Sequence, residues 1–557
     1  MLKKLPVPIG DTIFREVCVN NYYVDKTLLI KDIIDEGAKV ILFTRPRRFG
    51  KSLNMDMLKT FFEKTEEDTS SFFQDKKIWQ QGKDYINKQG QYPVIFISLK
   101  DIKADKWETA LEILKSVVAD EYIRHPELET SALVAKTDVA FYKRIINHNA
   151  STVDYMRSMQ VLSRMLCAHY AKKPVIIIDE YDTPIQEGYI NGYYSEAISF
   201  IRNFFSTALK DNQYLAFSVL TGILRIAKES IFSGLNNIRV YSVLDKKYSD
   251  YFGFTGEEVK AICCYYDVPE KLTEIKEWYD GYRFGDMDIF NPWSVLSYFD
   301  NQCQAIPFWS QTSANSVIHE VINNLSSAGI NNLKNILAGV PVESTIRTDI
   351  IYPSLKAPQT NILGFLLMTG YLKATETKID EDGAYVCKLE IPNKEIKSIY
   401  RQEILSIAVE SAGEDIVGNL KKSLLSKDVE LLKQTLGKFL LNTISYYDGL
   451  KENYYHGLIL GMSVIFGSSY YPLSNRESGE GRYDIQLTPL EKNMPGIIIE
   501  IKAADKAYPE DLRKLAEVAL KQINVKKYDT ELLCKGTEII YKYGIAFNGK
   551  HVEVVSN

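Results

Sequence analysis

Apolar positions along the first half of the chain alternate between two periods. Short runs at residues 39–44 (KVILFT), 93–99 (PVIFISL), 175–179 (VIIID) and 215–221 (LAFSVLT) are apolar on both faces and predict buried strands. Between them lie segments of helical spacing, such as Leu53, Met57, Leu58, Phe61 and Phe62, which share roughly one face of a helix over residues 53–62. Strands alternating with helices predict an α/β fold with a mostly parallel, helix-covered sheet over residues 1–245. From 246 to 400 the pattern turns mainly helical, with turn signals at Asp280-Gly281, Gly285-Asp286, Asn291-Pro292 and Pro392-Asn393, which predicts a helical or winged-helix-like region. Residues 401–450 keep helical periodicity with Lys and Glu on the polar faces, a helical connector. Residues 451–557 read as a small α/β unit: a helix at 453–466, a hairpin-like pair of strands, a long helix around 510–527 and final strands near 537–555.

Composition narrows the class without choosing a chemistry. A chain of 557 residues is too long for one core, so three or four domains are expected. Apolar residues make up 45% and charged residues 25%, the balance of a folded globular protein. Basic residues number 67 against 72 acidic ones, a net charge of −5, so any nucleic-acid contact must use a local basic patch. Between residues 500 and 527 the basic excess is only two, which also suits an ordinary solvated helix face. No apolar run is long enough to span a bilayer and the first residues lack a secretory core, which predicts a cytoplasmic protein without membrane contact. Seven scattered cysteines and six histidines show no metal-ligand spacing, which favours reduced thiols over a disulfide frame or a zinc site.

The first candidate chemistry is RPRRFGKS, residues 45–52, placed between a predicted strand and a predicted helix. There a GxxxxGK[ST] loop cradles phosphates: backbone N–H groups and the helix N-terminus face the anion, Lys51 neutralises the β and γ phosphates, and the Ser52 hydroxyl ligates Mg²⁺. Arg48 and Gly50 belong to the same loop. Its departure is Arg45 in place of the first glycine, followed by Pro46, which has no N–H to donate. Arg45, Arg47 and Arg48 are therefore expected to replace lost amide donors with charge, or to bind something other than a nucleotide. GKS alone also starts ordinary helices. Downstream, the apolar strand 175–179 ends in Asp179 and Glu180, the acids that would hold the Mg²⁺ shell and polarise the attacking water. A lone apolar strand ending in two acids equally suits a helix cap. Thr221, at the end of the next strand, is a candidate nucleotide sensor. Arg225 is a candidate for charge stabilisation, with a surface arginine as the plainer reading.

The second is near the C-terminus, in ESGEGRYDIQL (477–487) and GIIIEIK (496–502). With side chains alternating across a strand, Ile497, Ile499 and Ile501 share one face, and Glu500 and Lys502 the other. In the preceding strand Tyr483, Ile485 and Leu487 are expected on the apolar face, leaving Asp484 and Gln486 opposite. Pairing as a hairpin brings Asp484 and Glu500 to one divalent ion with Lys502 beside them, a grouping suited to metal-assisted phosphodiester hydrolysis with Mg²⁺ or Mn²⁺. A single ExK on a strand also suits a solvated edge. Glu452 or His456 on the preceding helix, and Gln522 on the following one, are candidate additions.

With these motifs in place the chain resembles a large bacterial family that joins an AAA-ATPase-like N-terminal domain to a C-terminal PD-(D/E)XK nuclease superfamily domain. The resemblance rests on YYVDKTLLI, FTRPRRFGKSLNMDML, VIIIDEYDTPI, WYDGYRFG with FNPWSVL, LLMTGYL, IPNKEI, and SNRESGEGRYDIQL with IIIEIK and ALKQINVKKY, in this order over nearly the full length. It implies ATP at Lys51 and Ser52, Asp179 and Glu180 as the second ATPase motif, and Asp484, Glu500 and Lys502 as the nuclease core. Gln522 takes the position of a QxxxY-type element ending at Tyr528. Two functions follow as expectations: an ATP-regulated, Mg²⁺-dependent nuclease, on DNA ahead of RNA, or a nucleotide-switched interaction protein that binds nucleic acid or protein without cleaving it. Oligomeric state stays open.

Overall fold

The computed structural model describes residues 4–210, 212–225, 238–309, 332–333, 335–337, 339–348, 359–400, 403, 414–443, 455, 470–478, 480–490, 494–504 and 509–557. The chain divides into two compact units, Met1–Thr312 with Pro341–Ile396, and Ser313–Val340 with Lys397–Asn557.

The first unit is built on five parallel strands: β1 (Val40–Thr44), β2 (Val94–Ser98), β3 (Val175–Asp179), β4 (Ser218–Gly222) and β5 (Ile238–Tyr241). Their order is β2-β3-β4-β1-β5, so β4 lies between the strand leading into the phosphate loop and the strand bearing the acids. β1, β3 and β4 are buried at every position, as strands covered on both faces must be, although β4 (SVLTG) is apolar only at Val219 and Leu220. Two details differ from the sequence reading. β4 begins at Ser218, not Leu215, and runs on to Gly222; β5 was not foreseen, because an edge strand of sequence IRVY is only half-buried and carries no apolar run.

The region read as mainly helical also contains two small antiparallel sheets. One orders as β6-β8-β7 (Phe254–Thr255, Met287–Phe290 and Tyr282–Phe284), the other as β10-β11-β9 (Lys373–Ile379, Tyr385–Glu390 and Val342–Ile346). Strands of two to seven residues are too short for a period-two pattern to stand out.

The second unit carries a five-stranded sheet of order β12-β13-β14-β15-β16, made of Tyr470–Ser478, Gly481–Pro489, Gly496–Ala503, Ile540–Asn548 and His551–Ser556. β13 and β14 are antiparallel, as the hairpin reading required, and β14 and β15 are parallel, joined through the helix Pro509–Val525. Helices Glu414–Ser426 and Val429–Thr443, in the segment read as a connector, cover one face of this sheet: Leu424, Leu436 and Phe439 pack with Ile485, Leu487, Ile497, Ile499 and Ile501. On the opposite face Ile498 packs with Ile523 and Tyr528. The helix foreseen at 453–466, with Glu452 and His456, lies outside the described residues apart from Tyr455.

Candidate functional site

Two clusters of the expected residues assemble, one in each unit. In the first, β1 ends at Thr44, and the helix Lys51–Phe62 starts at once beyond Gly50, whose φ of 78° lets the loop turn into the helix without a Cβ penalty. Lys51 is buried and points back across the loop. Its ammonium donates to the carbonyls of Arg45 (3.2 Å) and Pro46 (3.0 Å) and lies 3.1 Å from Glu180 Oε1. Ser52 Oγ donates to Asp179 Oδ2 at 2.6 Å, and Thr221 Oγ1 to Asp179 Oδ1 at 2.6 Å. Asp179 thus bridges the helix start and the end of β4, which is possible because β4 inserts between β1 and β3. Burial, with Glu180 alongside, raises the Asp179 carboxyl above the usual carboxylate range, against the pull of its two hydroxyl donors. Glu180 sits at φ 54°, a left-handed conformation uncommon for a non-glycine residue, at the turn that aims it toward Lys51.

The three loop arginines divide their roles, and here the sequence expectation needs correcting. Arg45 supplies no charge to the loop opening. Its guanidinium is fully buried, donates to the carbonyls of Thr44, Tyr241 and Tyr248, and lies over the rings of Phe252 and Phe284. Burial brings its pKa down to about 10. It is a structural bolt between β1, the edge strand β5 and the segment beyond it. Arg47 donates to Gln186 Oε1 at 2.9 Å. Arg48 alone is exposed, with its guanidinium 4.1 Å from the centre of the Trp293 ring. Arg225 is exposed too, and among the described residues nothing ties it to Lys51 or Asp179.

Sequence reasoning missed Asp182. This third acid of DEYD is fully buried and accepts the backbone N–H groups of Ile223 (2.8 Å) and Leu224 (2.9 Å), clamping the chain just past Thr221 to the acidic turn. Burial, then Glu180, push its carboxyl up to about 6. The only signal was a third acid two residues after the pair, which reads as a helix cap. Asp182 does precede the helix Thr183–Asn191 but makes no cap bond to it.

The second cluster lies where β13 and β14 part. Their pairing covers Ile485 to Leu487 against Ile499 to Ile497. Beyond it the Asp484 carboxylate takes over, accepting the Ile501 N–H at 2.7 Å. Glu500 is 2% exposed, and its Oε1 accepts from Lys502 Nζ (3.3 Å) and from Gln522 Nε2. Gln522 Nε2 also donates to the Tyr528 hydroxyl at 3.1 Å. Glu500 Oε2 is buried with no hydrogen-bond partner. Burial, then the Asp484 charge, lift the Glu500 carboxyl to about 7. A buried carboxylate oxygen without a donor, beside a second carboxylate, is what a hard divalent cation satisfies, so these residues fit Mg²⁺ or Mn²⁺. Among the described residues no group of three or more His, Cys, Asp or Glu side chains is arranged for a metal, which leaves this pair needing water or substrate oxygens to complete a shell. One phasing expectation fails: Tyr483 packs with Ile498, Ile523 and Tyr528, not with Ile485 and Leu487, and its hydroxyl donates to Glu531 Oε2 at 3.3 Å. Tyr483 lies two residues past Ile485, where the β13–β14 pairing ends, while β13 stays paired with β12 as far as Gly481.

The seven cysteines are free, and among the described residues no helix is long and apolar enough to cross a membrane. Comparison with known proteins matches both clusters to families. The family described as "Predicted AAA-ATPase" matches residues 8–232, and the "PD-(D/E)XK nuclease superfamily" matches residues 450–557. A similar protein is the "Uncharacterized protein in vnfD 5'region" of Azotobacter chroococcum mcd 1, 24% identical over 83% of this chain and 84% of that one. Among solved structures, the Walker-type ATPase PABY2304 of Pyrococcus abyssi aligns with 72% of this chain and 99% of its own at 14% identity, with a TM-score of 0.36. The chain therefore carries an AAA-ATPase-like domain over residues 8–232 followed by a PD-(D/E)XK nuclease superfamily domain over residues 450–557.

Proposed function

We propose that the protein binds ATP with Mg²⁺ at its N-terminal site and uses that state to regulate a divalent-metal-dependent nuclease in its C-terminal domain. Lys51 and the amide groups of the loop would hold the phosphates, and Ser52 and Asp179, already 2.6 Å apart, would hold the ion. Glu180 would orient the attacking water once its bond to Lys51 gives way, and Thr221 would report the occupancy of the site to β4 through Asp179. In the nuclease, Asp484 and Glu500 would hold the metal, which supplies a Lewis acid for the scissile phosphate and an acidified water. Lys502 would place the nucleophile or offset developing charge, and Gln522 fixes the Glu500 rotamer.

The observation that carries the nuclease reading is the unpaired, buried Glu500 Oε2 beside Asp484. DNA is the first substrate to try. Purified protein incubated with single- and double-stranded DNA and RNA, Mg²⁺ or Mn²⁺, and ATP should cleave at least one polymer, and Glu500→Ala should abolish cleavage. Nucleic-acid binding without cleavage under every combination, unchanged by Glu500→Ala and lost in Lys51→Ala, would replace this reading with a nucleotide-switched binding protein.

A further inference from the structure

The phosphate loop is gripped from outside the ATPase sheet. Phe49 packs edge-on to Tyr282 and lies 5.2 Å from the Phe284 ring, while Arg45 is held by Tyr248, Phe252 and Phe284. Those side chains belong to residues 248–284, well past β5. Arg48 is the exposed loop arginine, and among the described residues its guanidinium makes no hydrogen bond, whereas Arg47 is tied to Gln186. A ring engages the face of a guanidinium and leaves the five in-plane N–H donors unspent. Arg48 is also held at φ 68°, a left-handed conformation, and lies within electrostatic range of Glu180, the partner of Lys51.

Trp293 is itself fixed. It follows Pro292 in the first turn of the helix Pro292–Asp300, and the Asn291 side chain accepts its backbone N–H at 2.9 Å. The ring is partly buried against the cluster containing Phe254, Val295 and Tyr298. Gly10 lies beside it, where a Cβ would make an ordinary van der Waals contact with Trp293 Cζ3 at 3.7 Å.

We propose that Trp293 is a positioning residue for the nucleotide site: its indole holds Arg48 by the face, so that the guanidinium edge meets the terminal phosphates of a nucleoside triphosphate. This rests on the nucleotide-binding reading above. Pro46 removes one amide donor from the loop, Arg45 is spent on structure and half-buried Arg47 is tied to Gln186, so exposed Arg48 is the arginine best placed to supply the missing anion contact as a planar, bidentate donor. Because Trp293 lies outside the ATPase sheet, the same contact ties phosphate occupancy to the segment carrying WYDGYRFG and FNPWSVL.

The test is a double-mutant cycle on the full-length chain, with Arg48→Ala, Trp293→Ala, the pair together, and Trp293→Phe, each titrated with ATP, ADP and AMP by calorimetry. Each single alanine variant should weaken ATP binding by about threefold to tenfold, the range of one partly desolvated cation–π contact. AMP should be little affected, the double variant no worse than the worse single one, and Trp293→Phe intermediate. Tryptophan fluorescence should change on ATP addition in the wild type and lose that component in Trp293→Phe. If wild type and Lys51→Ala both fail to bind ATP, the nucleotide reading itself falls. If wild type binds and Trp293→Ala binds equally well, or if the losses at Arg48 and Trp293 simply multiply, the positioning role is wrong and the rest stands.

Discussion

Lys51 Nζ lies 3.1 Å from Glu180 Oε1, and the two remaining donors of the ammonium are taken by the carbonyls of Arg45 and Pro46. The residue expected to neutralise phosphate is thus fully engaged before any phosphate arrives, and its carboxylate partner repels the incoming anion. Glu180→Gln should therefore tighten ATP binding, by about threefold to tenfold if a partly buried ion pair contributes about 1 kcal/mol, while slowing hydrolysis at least as much as any loss at Thr221. Isothermal titration alongside phosphate release checks both. Weaker binding in Glu180→Gln would mean that the carboxylate helps to hold the nucleotide and does not compete with it.

Arg45 stands where a glycine is expected, and its burial turns that substitution into a stability question. Its guanidinium satisfies three backbone carbonyls and fills the space between Phe252 and Phe284. Arg45→Ala removes all of this at once and should destabilise the ATPase domain by about 3 kcal/mol or more. Arg45→Lys should recover only part, since one ammonium cannot reproduce the forked geometry. Thermal unfolding followed by circular dichroism should show the first transition several degrees lower. An unchanged transition combined with lost ATP affinity would return Arg45 to the phosphate side.

How far the sequence could be read follows from the range of the interactions involved. Val175 to Asp179 was legible to the residue because a five-residue apolar run closed by acids has few other uses, and Glu500 because strand periodicity sets it opposite Ile499 and Ile501; Asp484, one residue past the last β13–β14 pair, reaches β14 by accepting the Ile501 N–H. Tyr483 was misplaced because it lies two residues past Ile485, where β13 stops pairing with β14 while staying paired with β12, and it packs instead with Ile498, Ile523 and Tyr528. Asp182, Trp293 and the true role of Arg45 were out of reach: each depends on partners about 40 to 245 residues away along the chain, such as Ile223 for Asp182 and Arg48 for Trp293. Local pattern specified elements and acids; which donors they would meet was decided by the strand order, with β4 between β1 and β3.

Glu500 gives the nuclease domain a defined pH response. Its folded value near 7 lies above the ordinary 4.5, so the folded state holds the proton more tightly than the unfolded chain. The group's contribution to stability is full below about 4.5 and is lost as pH rises through 7, amounting to about 2–3 kcal/mol for such a buried carboxyl. Metal-free wild type, melted in a chelator between pH 5 and 8.5, should lose stability on the alkaline side relative to Glu500→Gln. Added Mn²⁺ should restore the wild type alone, with an affinity that rises with pH through 7 because the ion must displace a proton. Parallel melting curves for the two proteins across that range would show that Glu500 is ionised in the folded state without metal.

Gln522 acts on the same proton from the other side. Its amide donates to Glu500 Oε1 and to the Tyr528 hydroxyl, so it favours the charged carboxylate and is itself held in place by the tyrosine. Removing it in Gln522→Ala should raise the Glu500 pKa further and move the acid limb of the cleavage pH profile upward, with a loss of about tenfold in rate at neutral pH that shrinks as the pH is raised. Tyr528→Phe keeps the amide and loses only its anchor, so it should lower the rate less and leave the limb almost in place. A Gln522→Ala defect equal at every pH would assign the residue to substrate contact and sever it from the titration of Glu500.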